Sequence, residues 1–416
     1  MTRPLVLIVS PGDETYRGYC LESVAADHDV VLLTGTEPSW EKPYIVDHAV
    51  TDLHDSAALL AAGLALAERH EIAGVLTWDE YALVPAATLA ARLGLRTSPV
   101  SAMLACRDKG TTRRLLAQAG VPSARSVRVE SLTAASAAAD EIGYPVVLKP
   151  ASHAASIGVI RVQSPEGLPD GWEFAAAGAG EQGPEGHGVL VEEYLDGPEI
   201  SVECATRAGE TTVLAVTRKE LDFAPYFEET GHTVTADDPL LPMVAPLARQ
   251  ALHALGVTDG VQHVEMRLTP AGPRIIEVNA RIGGDFIGRL VHLATGLDLP
   301  AIAAAIAADR APDLTPTRTA AAAIRILYPP ATGILTERHL PLQPPGIPGL
   351  HDIGWFRQSG DDVALPPDGD LDTARIGYLI TAAPTLAQAE IIRSLAEQAL
   401  VLRVEPARQD HHRLAL

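Results

Sequence analysis

Ile275-Ile-Glu277-Val-Asn279-Ala-Arg281-Ile-Gly-Gly284 is the stretch on which the fold turns. It opens as an apolar strand over 274–278, with Glu277 and Asn279 two positions apart, so their side chains share a face. Two polar groups on one face of an apolar strand cost stability unless they bind something. Glu265, in Val264-Glu-Met-Arg267, can join them from an adjacent strand. Oxygen donors converging in this way are what Mg²⁺ bridging phosphates requires, with Mn²⁺ as the alternative ion. The plain competing reading is a half-solvated strand.

Upstream, Lys149 ends an apolar strand (146–149) and leads through Pro150 into Ala151-Ser-His-Ala-Ala-Ser156-Ile-Gly158-Val159. A lysine at the end of a buried strand is costly unless its ammonium faces an anion, and a small-residue loop leaves backbone N–H groups free to wrap phosphates. The alternative is a lysine that snorkels to solvent. Between these two stretches lies Val191-Glu192-Glu193-Tyr194-Leu195, then Gly197-Pro198-Glu199. A strand ending in acids and an aromatic before a tight turn can form a hinge where a purine edge meets the backbone and a carboxylate grips ribose hydroxyls. Solvated acids at a strand end are the ordinary alternative.

Composition gives Lys149 weight. Of 32 basic residues only Lys42, Lys109, Lys149 and Lys219 are lysine, so the chain writes arginine almost everywhere else. Lysine is a compact point charge that the planar guanidinium fork does not replace at a phosphate site. The formal net charge of -21 over 416 residues, with no basic run, argues against nucleic-acid binding as the main role. No apolar run approaches the roughly 18 to 20 residues of a membrane span, and Leu299 to Ala308 reads as an Ala-rich core helix. Three scattered cysteines suit a reducing cytoplasm without a disulfide framework.

The first hundred residues alternate apolar runs (5–9, 30–33, 74–77) with helical patterns (56–70, 81–93), which predicts a small doubly wound α/β unit. Its loops, 10–14 and 78–80, would lie at the carboxyl edge of the strands, where ligands bind. A helix over 112–119 stops at Gly120-Val-Pro122. Strands are expected at 126–129, 189–194, 200–205, 213–217 and 262–268, and helices at 134–142 and 243–255. Proline enrichment from about Arg310 suggests a boundary, followed by a last α/β pattern, 374–380 and 386–399. Four units are therefore expected: 1–106, 107–190, 191–309 and 310–416.

Gly178-Ala-Gly180-Glu-Gln-Gly183 matches the dinucleotide fingerprint G-x-G-x-x-G, but it lacks the preceding strand and following helix that give the fingerprint its meaning. Lys109-Gly110-Thr111 has the wrong order for a P-loop. No G-x-S-x-G, H-E-x-x-H or paired C-x-x-C occurs.

Taken in order, Lys109, Lys149-Pro150 with its loop, Glu192-Glu193-Tyr194, Glu199, Glu265 and Glu277-x-Asn279-x-Arg281 resemble the ATP-grasp superfamily of carboxylate-amine ligases, from about Arg107 to Gly288. Glu229-Thr-Gly-His232, Asn279-Ala-Arg281-Ile-Gly-Gly284 and Gly377-Tyr-Leu-Ile-Thr381 look most like the L-amino acid ligases of the bacilysin-synthetase type. The resemblance implies an α/β ATP-grasp fold: a preceding α/β domain, a lid, a large subdomain and a C-terminal subdomain. It implies ATP phosphates held by Lys109 and Lys149 with the loop at Ser156 and Gly158, adenine at Glu192 and the backbone of Tyr194 and Leu195, and ribose at Glu199. Mg²⁺ would sit at Glu265, Glu277 and Asn279. Arg281 would stabilise the transferring phosphoryl group and the tetrahedral intermediate, an effect worth on the order of 3 to 4 kcal/mol for one donor in related chemistry. Glu229 and His232 would lie near the amino-acid substrate, with Gly284 and Asp285 bordering it.

The implied reaction joins two small molecules, an amino-acid carboxylate and an amine, in an enzyme that is often a homodimer. Lys219 is left between an active-site role and a surface role. Where the bacilysin-type enzyme carries a bulky aromatic, this chain has Gly283-Gly284-Asp285-Phe286, so more room, or a preference for a polar or cationic group, is expected. Other ATP-grasp chemistry, carboxylation of a nucleotide precursor or acyl transfer to a carrier protein, is the near alternative. A non-catalytic ATP-binding protein is the distant one.

Overall fold

The computed structural model describes residues 3–154, 156–179, 186–341, 346–369 and 371–406. Its frame is an eight-stranded antiparallel sheet. In spatial order the strands are Gly272–Asn279, Gly260–Thr269, Glu199–Arg207, Glu210–Asp222, Glu228–Thr235, Ala321–Leu327, Gly377–Ala383 and Leu350–Trp355. Helix Leu241–Ala254 covers one side, burying Val244, Leu247, Ala248 and Ala251 against Val202, Val216 and Val264. Helices Ile287–Thr295 and Leu299–Ala307 pack into a second core with Val234, Ile324 and Ile380. The Ala-rich segment is thus a core helix, and among the described residues no single helix is long and apolar enough to cross a membrane.

The N-terminal unit is a parallel sheet in the order Asp47–Val50, Asp29–Thr34, Leu5–Val9, Ile72–Leu76, as the βα alternation predicts. It sits hard against the central unit. A Cβ on Gly74 would lie 2.5 Å from the Ala307 carbonyl carbon, so only glycine permits this approach. The expected loop 10–14 is partly the cap of a helix, because Asp13 accepts from the Tyr16 N–H at the start of Glu14–Asp27.

The region expected to be a lid forms a separate antiparallel sheet, Ser126–Val129, Val189–Glu193, Val146–Pro150 and Ile160–Val162, backed by helices Leu132–Ile142 and Leu168–Ala179. Gly178 and Ala179 end the second helix, and residues 180–183 of the G-x-G-x-x-G match lie outside the described residues.

Two expectations need correction. The proline-rich stretch near Arg310 does not end the central sheet: Ala321–Leu327 pairs with Glu228–Thr235, and Gly377–Ala383 pairs with Ala321–Leu327. These pairings are antiparallel, so the C-terminal region extends the sheet and adds a small one of Asp362–Val363, Gly333–His339 and Val401–Glu405. Strand order depends on contacts distant in sequence, which composition cannot report. The expected strand at 374–380 begins later, because Leu371–Ala374 is a short helix that precedes Gly377–Ala383.

Candidate active site

A cleft of about 540 Å³ lies between the lid, the central sheet and the N-terminal unit. It is within the size range of small-molecule sites. Lys109, Lys149, Ser156, Glu192, Tyr194 and Leu195 line it together with Glu199, Glu265, Glu277, Asn279, Arg281, Glu229, Gly284 and Asp285. Residues spread over some 180 positions of sequence are brought to one space.

The antiparallel register sets Glu265 opposite Glu277 and His263 opposite Asn279. The Asn279 amide, turned so that its nitrogen donates, reaches Glu277 Oε1 at 3.1 Å, as the shared face predicts. Lys109 Nζ lies 3.3 Å from Glu277 Oε1 and donates to the His153 carbonyl. Asp108 caps this helix by accepting from the Thr111 N–H. The helix begins at Lys109 and not at Thr112, so the lysine stands in its first turn.

Lys149 Nζ meets Glu192 Oε2 at 2.7 Å, and Arg113 Nε meets Glu192 Oε1 at 2.9 Å. Burial opposes charging Glu192, but Arg113 and Lys149 outweigh it and hold its carboxyl at about 2. Burial pushes the Lys149 ammonium down, with Glu192 opposing. Both Glu192 oxygens are therefore engaged by cations, and the carboxylate orients Lys149. Glu199 is likewise gripped by Arg267 at 2.9 Å. Tyr194 lies beneath the Arg161 guanidinium, 5.1 Å from its ring centroid.

The phosphate-loop candidates divide. Ser156 lines the cleft, with φ 57° and its hydroxyl donating to the Phe227 carbonyl. Gly158 stands behind it: φ is 71°, and a Cβ there would lie 2.8 Å from Pro150 Cγ. It therefore shapes the loop and does not line the cleft.

Lys219 is not a surface residue. Its side chain is 1 % exposed, and Nζ donates to Glu229 Oε1 at 2.7 Å and to Glu265 Oε1 at 2.9 Å, with Glu199 at 3.5 Å. Burial alone would push its ammonium down; the three carboxylates outweigh burial and hold it well above the ordinary lysine range. His263, between Glu203 at 3.0 Å and Glu265 at 3.0 Å, is raised to about 9 against its own burial.

His232 is fully buried behind the cleft wall, with Nε2 3.1 Å from Glu229 Oε2 and 3.5 Å from Asp285 Oδ2. It bears on Glu229 and Asp285 rather than on the open cleft. Asp285 is further paired with Arg375 at 2.7 Å. Of the expected outcomes at Asp285, more room or a polar or cationic preference, the cationic one is the less favoured by this geometry, because a buried cation already faces the carboxylate. Phe286 turns away into the core, 4.3 Å from Tyr378 between ring centroids.

Sequence reasoning missed Arg113, His263 and Arg375, and reached Glu80 only as the end of the candidate loop 78–80. His263 carried a legible signal, since it stands two residues before Glu265 and so shares its face. Arg113 and Arg375 come from distant segments, and no local spacing marks them.

Residues 142–289 match the ATP-grasp domain family. The alanine–anticapsin ligase of Bacillus subtilis (strain 168) is 30 % identical over 56 % of this chain and 53 % of its own length. The L-arginine-specific L-amino acid ligase of Bacillus subtilis is 22 % identical over 81 % of each chain. The crystal structure of an L-amino acid ligase from Bacillus licheniformis superposes with a TM-score of 0.82 at 21 % identity, covering 97 % of this chain and 100 % of that one. The chain thus carries an ATP-grasp domain over residues 142–289, set in a fold similar to that of the solved L-amino acid ligase.

Proposed function

We propose that the chain is an ADP-forming ligase that joins an amino-acid carboxylate to an amine. The supporting observation is the single cleft that holds Lys109 and Lys149, the Glu265/Glu277/Asn279 oxygen set and the Glu229/Asp285 carboxylates side by side. The named ligase relatives make amino acids the substrate class to test first.

A carboxylate is a poor electrophile at neutral pH. In the proposed reaction its oxygen attacks the γ-phosphorus of ATP, the bond to the β,γ-bridging oxygen breaks, and ADP leaves. The amine nitrogen then attacks the carbonyl carbon of the acyl phosphate, and the carbon–oxygen bond breaks to release phosphate. Lys109 and Lys149 bind the phosphates, and backbone groups at Tyr194 and Leu195 bind the adenine. Glu199 is left for the ribose. Arg281 faces the charge that develops on the phosphoryl group and on the tetrahedral centre.

Glu265, Glu277 and Asn279 are hard oxygen donors, the set that suits Mg²⁺, and would hold it against the phosphates. When bound, Mg²⁺ neutralises the charge of the phosphate oxygens. Glu229, its charge already met by Lys219 and His232, would accept a hydrogen bond from a substrate amino group as a positioned acceptor.

An ADP-release screen of paired carboxylates and amines with Mg²⁺ATP, read out by product mass, tests the reading. A condensed product at the summed mass less water supports it. ADP release that instead requires bicarbonate, or that gives an acylated carrier protein, replaces it with the other ATP-grasp chemistries. No ADP release with any pair would favour a non-catalytic ATP-binding protein.

A further inference from the structure

Glu80 belongs to the N-terminal unit, where the turn after strand Ile72–Leu76 begins a short helix Glu80–Ala82. The Asp79 carboxylate caps this turn by accepting from the Tyr81 N–H. Glu80 is 6 % exposed, yet it lines the cleft. A carboxylate so placed is costly unless cations surround it, and they do. Its Oε2 meets Arg281 Nε at 2.6 Å, and its Oε1 accepts from Arg107 Nη1 at 3.0 Å. The Asn279 amide nitrogen reaches Oε2 at 3.2 Å.

The contacts continue outward. Arg107 Nη2 donates to Ser152 Oγ at 3.3 Å, and the guanidinium lies over the Tyr81 ring, 4.9 Å from its centroid. The Tyr81 hydroxyl is 3.0 Å from His153 Nδ1. Through this turn the N-terminal unit touches the small-residue loop at His153 and the end of strand Gly272–Asn279 at once.

Arg281 is otherwise anchored through Nη1, which donates to the Ile282 carbonyl at 2.9 Å. With Nε held by Glu80 and Nη1 by the backbone, two of the three guanidinium nitrogens of this cleft-lining arginine are fixed. We propose that Glu80 is a positioning residue: it fixes the guanidinium of Arg281 from the N-terminal unit, so that the catalytic arginine is aimed only when that unit is docked. Glu80 touches no reacting atom in this scheme and acts through Arg281. The inference rests on the proposed role of Arg281.

The test uses the full-length chain and the carboxylate–amine pair found by ADP release. Glu80→Gln keeps the shape and one acceptor oxygen but removes the charge that holds Nε. A fall in kcat of about tenfold or more, with KM for ATP within about twofold of wild type, is expected, together with a crystal structure of Glu80→Gln in which the Arg281 guanidinium has rotated. Glu80→Asp, which restores the charge, should recover part of the rate. An unchanged kcat, a loss expressed in KM for ATP, or an Arg281 that keeps its place in the variant structure would overturn the proposal. Arg281→Ala separates the two readings: if it still turns over at the wild-type rate, the role of Arg281 itself is wrong, whatever Glu80→Gln does.

Discussion

Lys219 and Glu265 meet at 2.9 Å across the central sheet, one from strand Glu210–Asp222 and the other from Gly260–Thr269, with the lysine side chain 1 % exposed. The same ammonium neutralises Glu229, so it ties the proposed metal carboxylate to the proposed substrate carboxylate.

Lys219→Met removes the cation shared by Glu199, Glu229 and Glu265. Breaking a buried pair by deleting one partner costs about 3 to 5 kcal/mol. A lower urea midpoint and a loss of turnover are expected together. Equal stability of variant and wild type by urea unfolding would show that the carboxylates find other partners.

Glu277→Gln keeps the shape of the side chain and removes one anionic oxygen from the Glu265/Glu277/Asn279 set. Turnover should disappear, or require far more Mg²⁺, while the melting temperature stays close to wild type. Phosphate release at the wild-type rate, measured across a Mg²⁺ titration, would remove Glu277 from the proposed mechanism.

Acid should weaken the lid. The Glu192 carboxyl is held at about 2 in the folded chain against an ordinary 4.5. A depressed folded value means that the contribution to stability is complete above 4.5 and is lost as pH falls from there toward 2. Arg113→Met removes the partner that faces Glu192 Oε1 and should move the acid-unfolding midpoint, followed by circular dichroism, to higher pH. An unmoved midpoint would mean that Lys149 alone suffices.

Arg375→Met should unfold the chain more readily, by about 3 to 5 kcal/mol, because Asp285 then loses its guanidinium partner at 2.7 Å and keeps His232 at 3.5 Å and the field of Arg17. With Arg375 in place, Asp285 has no spare charge to offer a ligand. In a substrate panel, kcat/KM for lysine or arginine should not exceed that for neutral amino acids of similar length. A clear preference for cationic side chains that disappears in Asp285→Asn would reverse this reading.

Gly74→Ala probes the docking of the N-terminal unit on helix Leu299–Ala307. A methyl group 2.5 Å from the Ala307 backbone must push the two units apart, and overpacking of this kind costs about 1 to 3 kcal/mol. The expected readout is a lower melting temperature, and no change would show that the contact yields.

The amino-acid sequence by itself determined the local chemistry. A two-residue spacing on a strand put Glu277 and Asn279 on one face whatever surrounded them, and an apolar strand ending in a lysine left Lys149 to face an anion or to snorkel to solvent, of which the structure shows the first, at Glu192. The shortage of lysine singled out Lys109 and Lys149, and also Lys219, whose burial the sequence left open. These are consequences of period, burial cost and composition, which act over a few residues. Only the tertiary structure decided which distant groups complete them. Glu80 reaches Arg281 across 201 positions, and Arg375 reaches Asp285 across 90. The central sheet runs on past the proline-rich stretch because its strands pair across that break. A buried charge must find a countercharge, but the sequence does not say from which segment it comes. Chain topology decides that, by setting which strand ends and turns meet at the cleft.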